Sequence, residues 1–260
     1  MASKKQKNLE QCLPEGQLVN RAWLKALGFN RPRVDYALRA GKLVALSHGV
    51  YRRPGPPLKW EHVVFSLNEM GCPVHVGGRS ALELQGFAHY LSLGDTQRID
   101  LYSAANIPAW TLGFSDSFKI IPHTRRLFKE LPKAGLSTRP FGAWDWQIPC
   151  STPELALLEL LADVREAADF SMADKFFEGA VNLRPGLLQE LLTNCKQVKA
   201  KRLFLWFSDR HDHAWYKKFE TLDIDLGRGK RMLVKGGALD TTYEITVPKQ
   251  MVKENENTLF

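Results

Sequence analysis

Between positions 31 and 53 the sequence gathers Arg31, Arg33, Tyr36, Arg39, His48, Arg52 and Arg53. Guanidinium groups donate in a planar fork that fits phosphate oxygens and the O6/N7 edge of guanine, and a phenol and an imidazole add further donors. The chemistry open to such a set is recognition of a polyanion with a readable edge, a nucleic acid. The charge distribution agrees. Residues 1–60 hold twelve Lys/Arg against three acids, a net of +9, whereas the other 200 residues hold 24 against 25, a net of −1. A positive excess confined to one small module is the pattern of a chain whose first part meets a polyanion and whose remainder has another task.

For these side chains to act together, a short helix and a hairpin must carry them. Leu9, Cys12 and Leu13 recur at helical spacing and predict a helix over 4–13, stopped by Pro14-Glu-Gly16. Asn20 is placed to cap a second helix, Arg21 to Leu27, with Val19 and Leu24 as a hydrophobic staple. After Gly28-Phe-Asn30, Asn30 caps a third helix that Arg31 opens, in which Val34, Ala37 and Leu38 share a face and Gly41 supplies the stop. Two short helices joined by a glycine-containing turn predict a helix-turn-helix. Turning about 100° per residue from Val34, Tyr36 and Arg39 point away from the buried face and Arg33 lies on its flank, the positions that face a major groove. Lys42 to Arg53 predicts a two-stranded wing turning at Ser47-His48-Gly49, with His48 at its tip and Arg52 and Arg53 at its base for phosphate or minor-groove contact. For His48 and Tyr51, simple packing or solvation of the hairpin is the alternative.

With 260 residues, 44% of them apolar and 25% charged, and a mean hydropathy of −0.27, the chain has the composition of one large or two modest soluble domains. Arg53-Pro-Gly-Pro-Pro57 can continue neither helix nor ladder, so it reads as a stiff linker. The expected division is a winged-helix domain over 1–57, a larger α+β domain over 58–250 and a disordered tail over 251–260. Strands are predicted through 60–149, at 98–103, 118–122 and 144–148, with a helical turn at Ser80 to Leu84. Ser151-Thr-Pro-Glu154 predicts a capping box that opens a buried helix bearing Leu157, Leu158, Leu161 and Val164. Helices follow over Met172 to Val181, Pro185 to Cys195 and Val198 to Phe219, the last broken near Asp209-Arg-His-Asp-His213. Arg231 to Val234 and Thr242 to Val247 are predicted to pair antiparallel around Gly236-Gly237. Strands, then a helical block, then a hairpin define an α+β fold.

The larger part has basic groups but no catalytic signature. Lys199, Lys201 and Arg202 open a helix whose dipole they oppose, and Arg228, Lys230 and Arg231 occupy a glycine-hinged loop; both clusters predict a partner surface, with a solvated basic surface as the alternative. Gly227-Arg-Gly-Lys-Arg231 is no phosphate loop, because Ile224 stands at the first glycine position and Arg231 at the hydroxyl position. His211 and His213, two apart on a helix, would point to different faces, so no metal is expected. The chain contains neither Glu-x-Lys nor Asp-x-Lys, and no Gly-x-Ser-x-Gly elbow. No catalytic residue, metal or cofactor is therefore expected. Cys12, Cys72, Cys150 and Cys195 lie at least 45 residues apart, predicting reduced, mostly buried thiols. The basic N-terminus leads into Asn8, Glu10 and Gln11 rather than an apolar stretch, and no run approaches a membrane span, so a cytoplasmic protein with no membrane partner is expected.

Taken in order, five segments resemble the AbiEi antitoxins of bacterial type IV toxin–antitoxin systems. They are Gly41-Lys-Leu-Val-Ala-Leu-Ser-His-Gly-Val-Tyr51, Gly77-Gly-Arg-Ser-Ala-Leu-Glu-Leu-Gln-Gly86, Ser151-Thr-Pro-Glu-Leu-Ala-Leu-Leu-Glu159, Lys201-Arg-Leu-Phe-Leu-Trp206 and Gly229-Lys-Arg-Met-Leu-Val-Lys-Gly-Gly237 through Tyr243-Glu-Ile-Thr-Val-Pro248. The resemblance implies a non-enzymatic autorepressor, with a winged helix that binds inverted repeats in double-stranded DNA at its own promoter. It further implies a C-terminal domain that neutralises a nucleotidyltransferase-like toxin encoded in the same operon, directly or indirectly, and a role in phage defence. Two other classes fit the residues alone: a winged-helix-targeted nucleic-acid enzyme, and a one-component regulator whose larger domain senses a ligand.

Overall fold

The computed structural model describes residues 8–87, 96–113, 116–124, 127–218 and 224–252. The chain divides into two compact units, one comprising residues 1–76, 92–125 and 138–149, the other residues 77–91, 126–137 and 150–260.

The first unit opens with α1 (Leu9–Cys12), β1 (Val19–Asn20), α2 (Arg21–Ala26), α3 (Arg31–Arg39), β2 (Val44–Ser47) and β3 (Val50–Arg52). The three strands form one antiparallel sheet in the order β1-β3-β2, and Leu13, Val19, Leu24, Val34 and Tyr51 belong to the core beneath it. The start of the helix expected over 4–13 lies outside the described residues. Residue 57 falls inside this unit. Leu18 N donates to Ser66 Oγ at 2.8 Å, and at Gly16, where φ is +86°, a Cβ would run into the His62 ring.

Residues 60–69 are a helix, α4 (Trp60–Glu69), and not the strand region expected from sequence. Val63-Val64-Phe65 carries the β-branched and aromatic composition of a strand, but Trp60, Val63, Val64 and Leu67 are all buried at helical spacing. A five-stranded sheet follows, ordered β6-β5-β4-β8-β7, from β4 (His75–Val76), β5 (Gln97–Tyr102), β6 (Phe118–His123), β7 (Leu136–Phe141) and β8 (Trp146–Ser151). β7 has no strand signature in the sequence, because the residues from Ser137 to Pro140 are exposed on both faces and do not alternate. β8 starts two residues later than expected, since Asp145 takes φ +51° in the turn.

Asp100 on β5 is buried, yet it accepts from Arg98 Nη2 at 2.7 Å and lies 2.8 Å from His123 Nε2. Burial pushes its pKa up, but the hydrogen bonds and charges of His123 and Arg98 outweigh that and hold it at about 2, below the usual 3.8. A folded-state pKa below the unfolded one contributes stability that is complete above about pH 3.8 and is lost as pH falls toward 2. Asp100→Asn is therefore expected to lower stability at pH 7 by about 2–3 kcal/mol. In urea titrations the gap to the native protein should close between pH 4 and pH 2; a gap independent of pH would contradict this account of the carboxylate.

The second unit contains α5 (Gly78–Leu84), α6 (Pro153–Asp163), α7 (Ala167–Glu178), α8 (Pro185–Asn194) and α9 (Val198–His211), then an antiparallel pair, β9 (Ala238–Asp240) and β10 (Ile245–Val247). Residues 154–162 of α6 are buried on every side, as befits a helix that is apolar nearly all round. The expected capping box is absent. Ser151 belongs to β8 and gives its hydroxyl to Glu159 at 2.7 Å, while the Glu154 carboxylate is taken by the Arg184 guanidinium at 2.9 Å. Leu203 to Phe207 are all buried, so the aromatic stripe of α9 is core. α9 ends at Asp212, whose φ is +43°. With the helix finished there, His211 and His213 do not diverge as expected: their rings stack 5.8 Å apart, engaged with Asp174 and the Phe177 carbonyl respectively. The last ladder also differs from expectation. Ala238 to Asp240, not Arg231 to Val234, pairs with Ile245 to Val247, and Arg231 makes an isolated parallel bridge to Ile245. Of the disordered tail expected over 251–260, Met251 is instead buried at the end of a 3-10 turn, Lys249–Met251, and residues 253–260 lie outside the described residues.

Candidate nucleic-acid interface

The helix-turn-helix is built locally. Asn20 Oδ1 accepts from Trp23 N at 2.8 Å and Asn30 Oδ1 from Arg33 N at 3.3 Å, so each helix begins at a side-chain cap. Between them Gly28 takes φ +87°, which turns the chain and lets Phe29 bury itself. Val34 and Ala37 face the core, leaving Arg31, Pro32, Tyr36 and Arg39 on the exposed side of α3. Tyr36 is 61% exposed, high for an aromatic side chain. In the wing, His48 is exposed at the β2–β3 turn, where Gly49 takes φ +75°.

Three of the arginines singled out from sequence are engaged elsewhere. Arg33 folds back: its Nη1 donates to the Gly28 carbonyl at 3.2 Å, and its guanidinium lies 4.5 Å from the centre of the Phe29 ring. Arg52 donates to the carbonyls of Pro56 at 2.7 Å and Gly55 at 3.4 Å. Arg53 reaches the Leu13 carbonyl at 3.2 Å and pairs with Glu15 at 3.6 Å. These two tie the Pro54–Pro57 segment to the module, which explains how a stretch without regular structure is held.

Two cations missed in sequence stand nearer to the exposed face. Arg21 and Lys25, four apart on α2, line with Phe29, Asn30, Arg31 and Val34 a cavity of about 320 Å³ beside the start of α3. Arg21 Nε donates to the Tyr51 hydroxyl at 2.8 Å, which anchors α2 to the wing. Their i, i+4 spacing on a helix with few acids nearby was the available signal.

The family description "Transcriptional regulator, AbiEi antitoxin, Type IV TA system" matches residues 96–248, and that of the AbiEi antitoxin N-terminal domain matches residues 2–93. The chain belongs to the AbiEi antitoxin family. It is thus a transcriptional regulator of a type IV toxin–antitoxin system. No curated protein matches it. Among solved structures, the crystal structure of RV2827C protein from Mycobacterium tuberculosis is similar over 89% of this chain and 86% of its own, at 15% identity and a TM-score of 0.49.

In this AbiEi protein the basic groups of the second unit are of two kinds. Lys201 and Arg202, expected on a partner surface, are buried, and that assignment is corrected. Lys201 Nζ donates to the Asp225 carbonyl at 2.7 Å. Arg202 donates to the carbonyls of Leu226 at 2.8 Å, Gly229 at 2.7 Å, Glu244 at 3.2 Å and Gly227 at 3.3 Å. Lys199 is half-buried with its Nζ on the Val164 carbonyl at 2.7 Å. Lys201 and Arg202 are therefore explained by the loop they hold, and Lys199 by the end of α6 that it caps. Arg228, Lys230 and Arg231 do face solvent, beside Met232, which is 77% exposed. The loop expected to swing on its glycines is thus fastened at its carbonyls while its charged side chains project. Among the described residues no helix is long and apolar enough to cross a membrane.

Proposed function

We propose that this AbiEi antitoxin represses its own operon by binding inverted repeats through the winged helix of residues 1–57. In the same reading, residues 58–250 neutralise a nucleotidyltransferase-like toxin encoded beside it, in the cytoplasm and without chemistry of their own. The observation that carries the DNA half is the exposed side of α3, Arg31, Tyr36 and Arg39, in a module holding the whole positive excess of the chain. The projecting Arg228, Lys230 and Arg231 support an antitoxic role for the loop before β9.

Titrating the full-length protein with its promoter fragment tests the first half. Four to six neutralised phosphates correspond to a log–log salt slope of roughly −4 to −5. Equal affinity for unrelated DNA at every salt concentration would refute operator recognition. Co-expression with the adjacent gene tests the second half. Reversing charge at Arg228, Lys230 and Arg231 together is expected to reduce rescue of growth while operator binding and the urea midpoint stay unchanged. Full rescue by that variant would remove the loop from the neutralising surface.

A further inference from the structure

Asp35 is the one acid between Glu15 and Glu61, and it sits on the helix proposed to enter the groove. On α3 it falls in a single stripe with Arg31 and Arg39, one turn before and one turn after it. Arg21 Nη2 lies 3.8 Å from its Oδ1 and Arg31 Nε lies 3.8 Å from its Oδ2. At that separation both pairs are electrostatic, and neither is a hydrogen bond. Among the described residues the carboxylate has no hydrogen-bond donor closer than these, and its side chain is 42% exposed. A carboxylate ready to accept thus lies within a basic surface.

Such a group is a liability against phosphate, which it repels. In a major groove it has one well-matched partner, the N4 amino group of cytosine. Adenine also offers an amino group, but its N7 acceptor stands beside it and opposes the second carboxylate oxygen; guanine and thymine offer acceptors there. We propose that Asp35 is a specificity-determining residue that accepts from a cytosine N4 amino group and penalises duplexes presenting acceptors or phosphate at that point. This rests on the DNA-binding reading of the winged helix. Arg21, held to the wing by Tyr51, and Arg31 flank the carboxylate in the free protein. On docking, the same two guanidinium groups are within reach of the backbone flanking the base that Asp35 reads.

The experiment selects preferred duplexes from a random pool with the full-length protein, then repeats the selection with Asp35→Ala and Asp35→Asn. The native protein is expected to require cytosine at one position of each half-site. Asp35→Ala should lose that requirement alone, bind scrambled DNA more tightly, and shrink the preferred-to-scrambled affinity ratio by roughly 10-fold to 100-fold. Asp35→Asn, able to donate to N7 and accept from N6, should shift the preference toward adenine. Unchanged base preferences in both variants, with native circular dichroism, would overturn the assignment and leave the DNA-binding reading standing. Absence of any sequence preference in the native protein would instead overturn the operator reading and this inference with it.

Discussion

Arg202→Ala is expected to destabilise the second unit by about 3–5 kcal/mol, the range for removing one partner of a buried charged network. Arg202 is 2% exposed and its guanidinium is the common donor for the carbonyls of Leu226, Gly227, Gly229 and Glu244. Truncation removes this donor from the oxygens of Leu226, Gly227 and Gly229, while Glu244 keeps its bond from Arg231 N, and it opens a void beneath the loop. Arg202→Met should recover only part of the loss, because it restores packing of the stem but supplies no N–H. Arg202→Lys should also fall short, since one ammonium cannot span oxygens that a planar fork reaches together. Urea titration gives the stability change, and hydrogen exchange over residues 225–231 locates it. A midpoint and exchange pattern like those of the native protein would show that water replaces the guanidinium without penalty.

On the DNA side the largest effect is expected from Tyr36→Ala combined with Arg39→Ala. Each contact to a base edge is worth about 1–3 kcal/mol, so the pair should lower operator affinity by at least tenfold and relax base preference. Both residues are exposed and outside the core, so folding should be unaffected. Arg33→Ala, by contrast, should change operator affinity little, because its guanidinium is already engaged with Gly28 and Phe29. Arg21→Ala and Lys25→Ala should each weaken all duplexes alike and reduce the salt slope by about 1. Titrations of operator and scrambled duplex at several salt concentrations separate these cases. Equal loss on both duplexes for the Tyr36 and Arg39 pair would move base reading off α3.

What could be read from residues alone is what short-range forces decide. The caps at Asn20 and Asn30, the left-handed turns at Gly28 and Gly49, and the three- and four-residue spacing of Val34, Ala37 and Leu38 all act within one or two turns of chain. They specify the helix-turn-helix and its wing wherever the rest of the chain lies. The charge asymmetry is likewise a property of order along the chain. The buried leucines of α6 were legible because a helix apolar nearly all round has nowhere to go but a core.

Other features depended on what arrives from far along the chain. Val63-Val64-Phe65 is as good a strand as a helix until the winged helix packs on it through Gly16 and Leu18. The order of the five-stranded sheet and the pairing of β9 with β10 are set by partners that periodicity cannot name. The sharpest cases are the arginines. Arg33, Arg52, Arg53 and Arg202 differ from Arg31 in nothing visible along the chain, yet carbonyl oxygens outside their own helix or strand claim all four, whereas Arg39 reaches only the Asp35 carbonyl one turn back on α3. A guanidinium on a flexible stem goes to acceptors within its reach that the backbone has not already paired. Which carbonyls are left over, and therefore which cations remain for a partner, is known only once the backbone has closed its own hydrogen bonds.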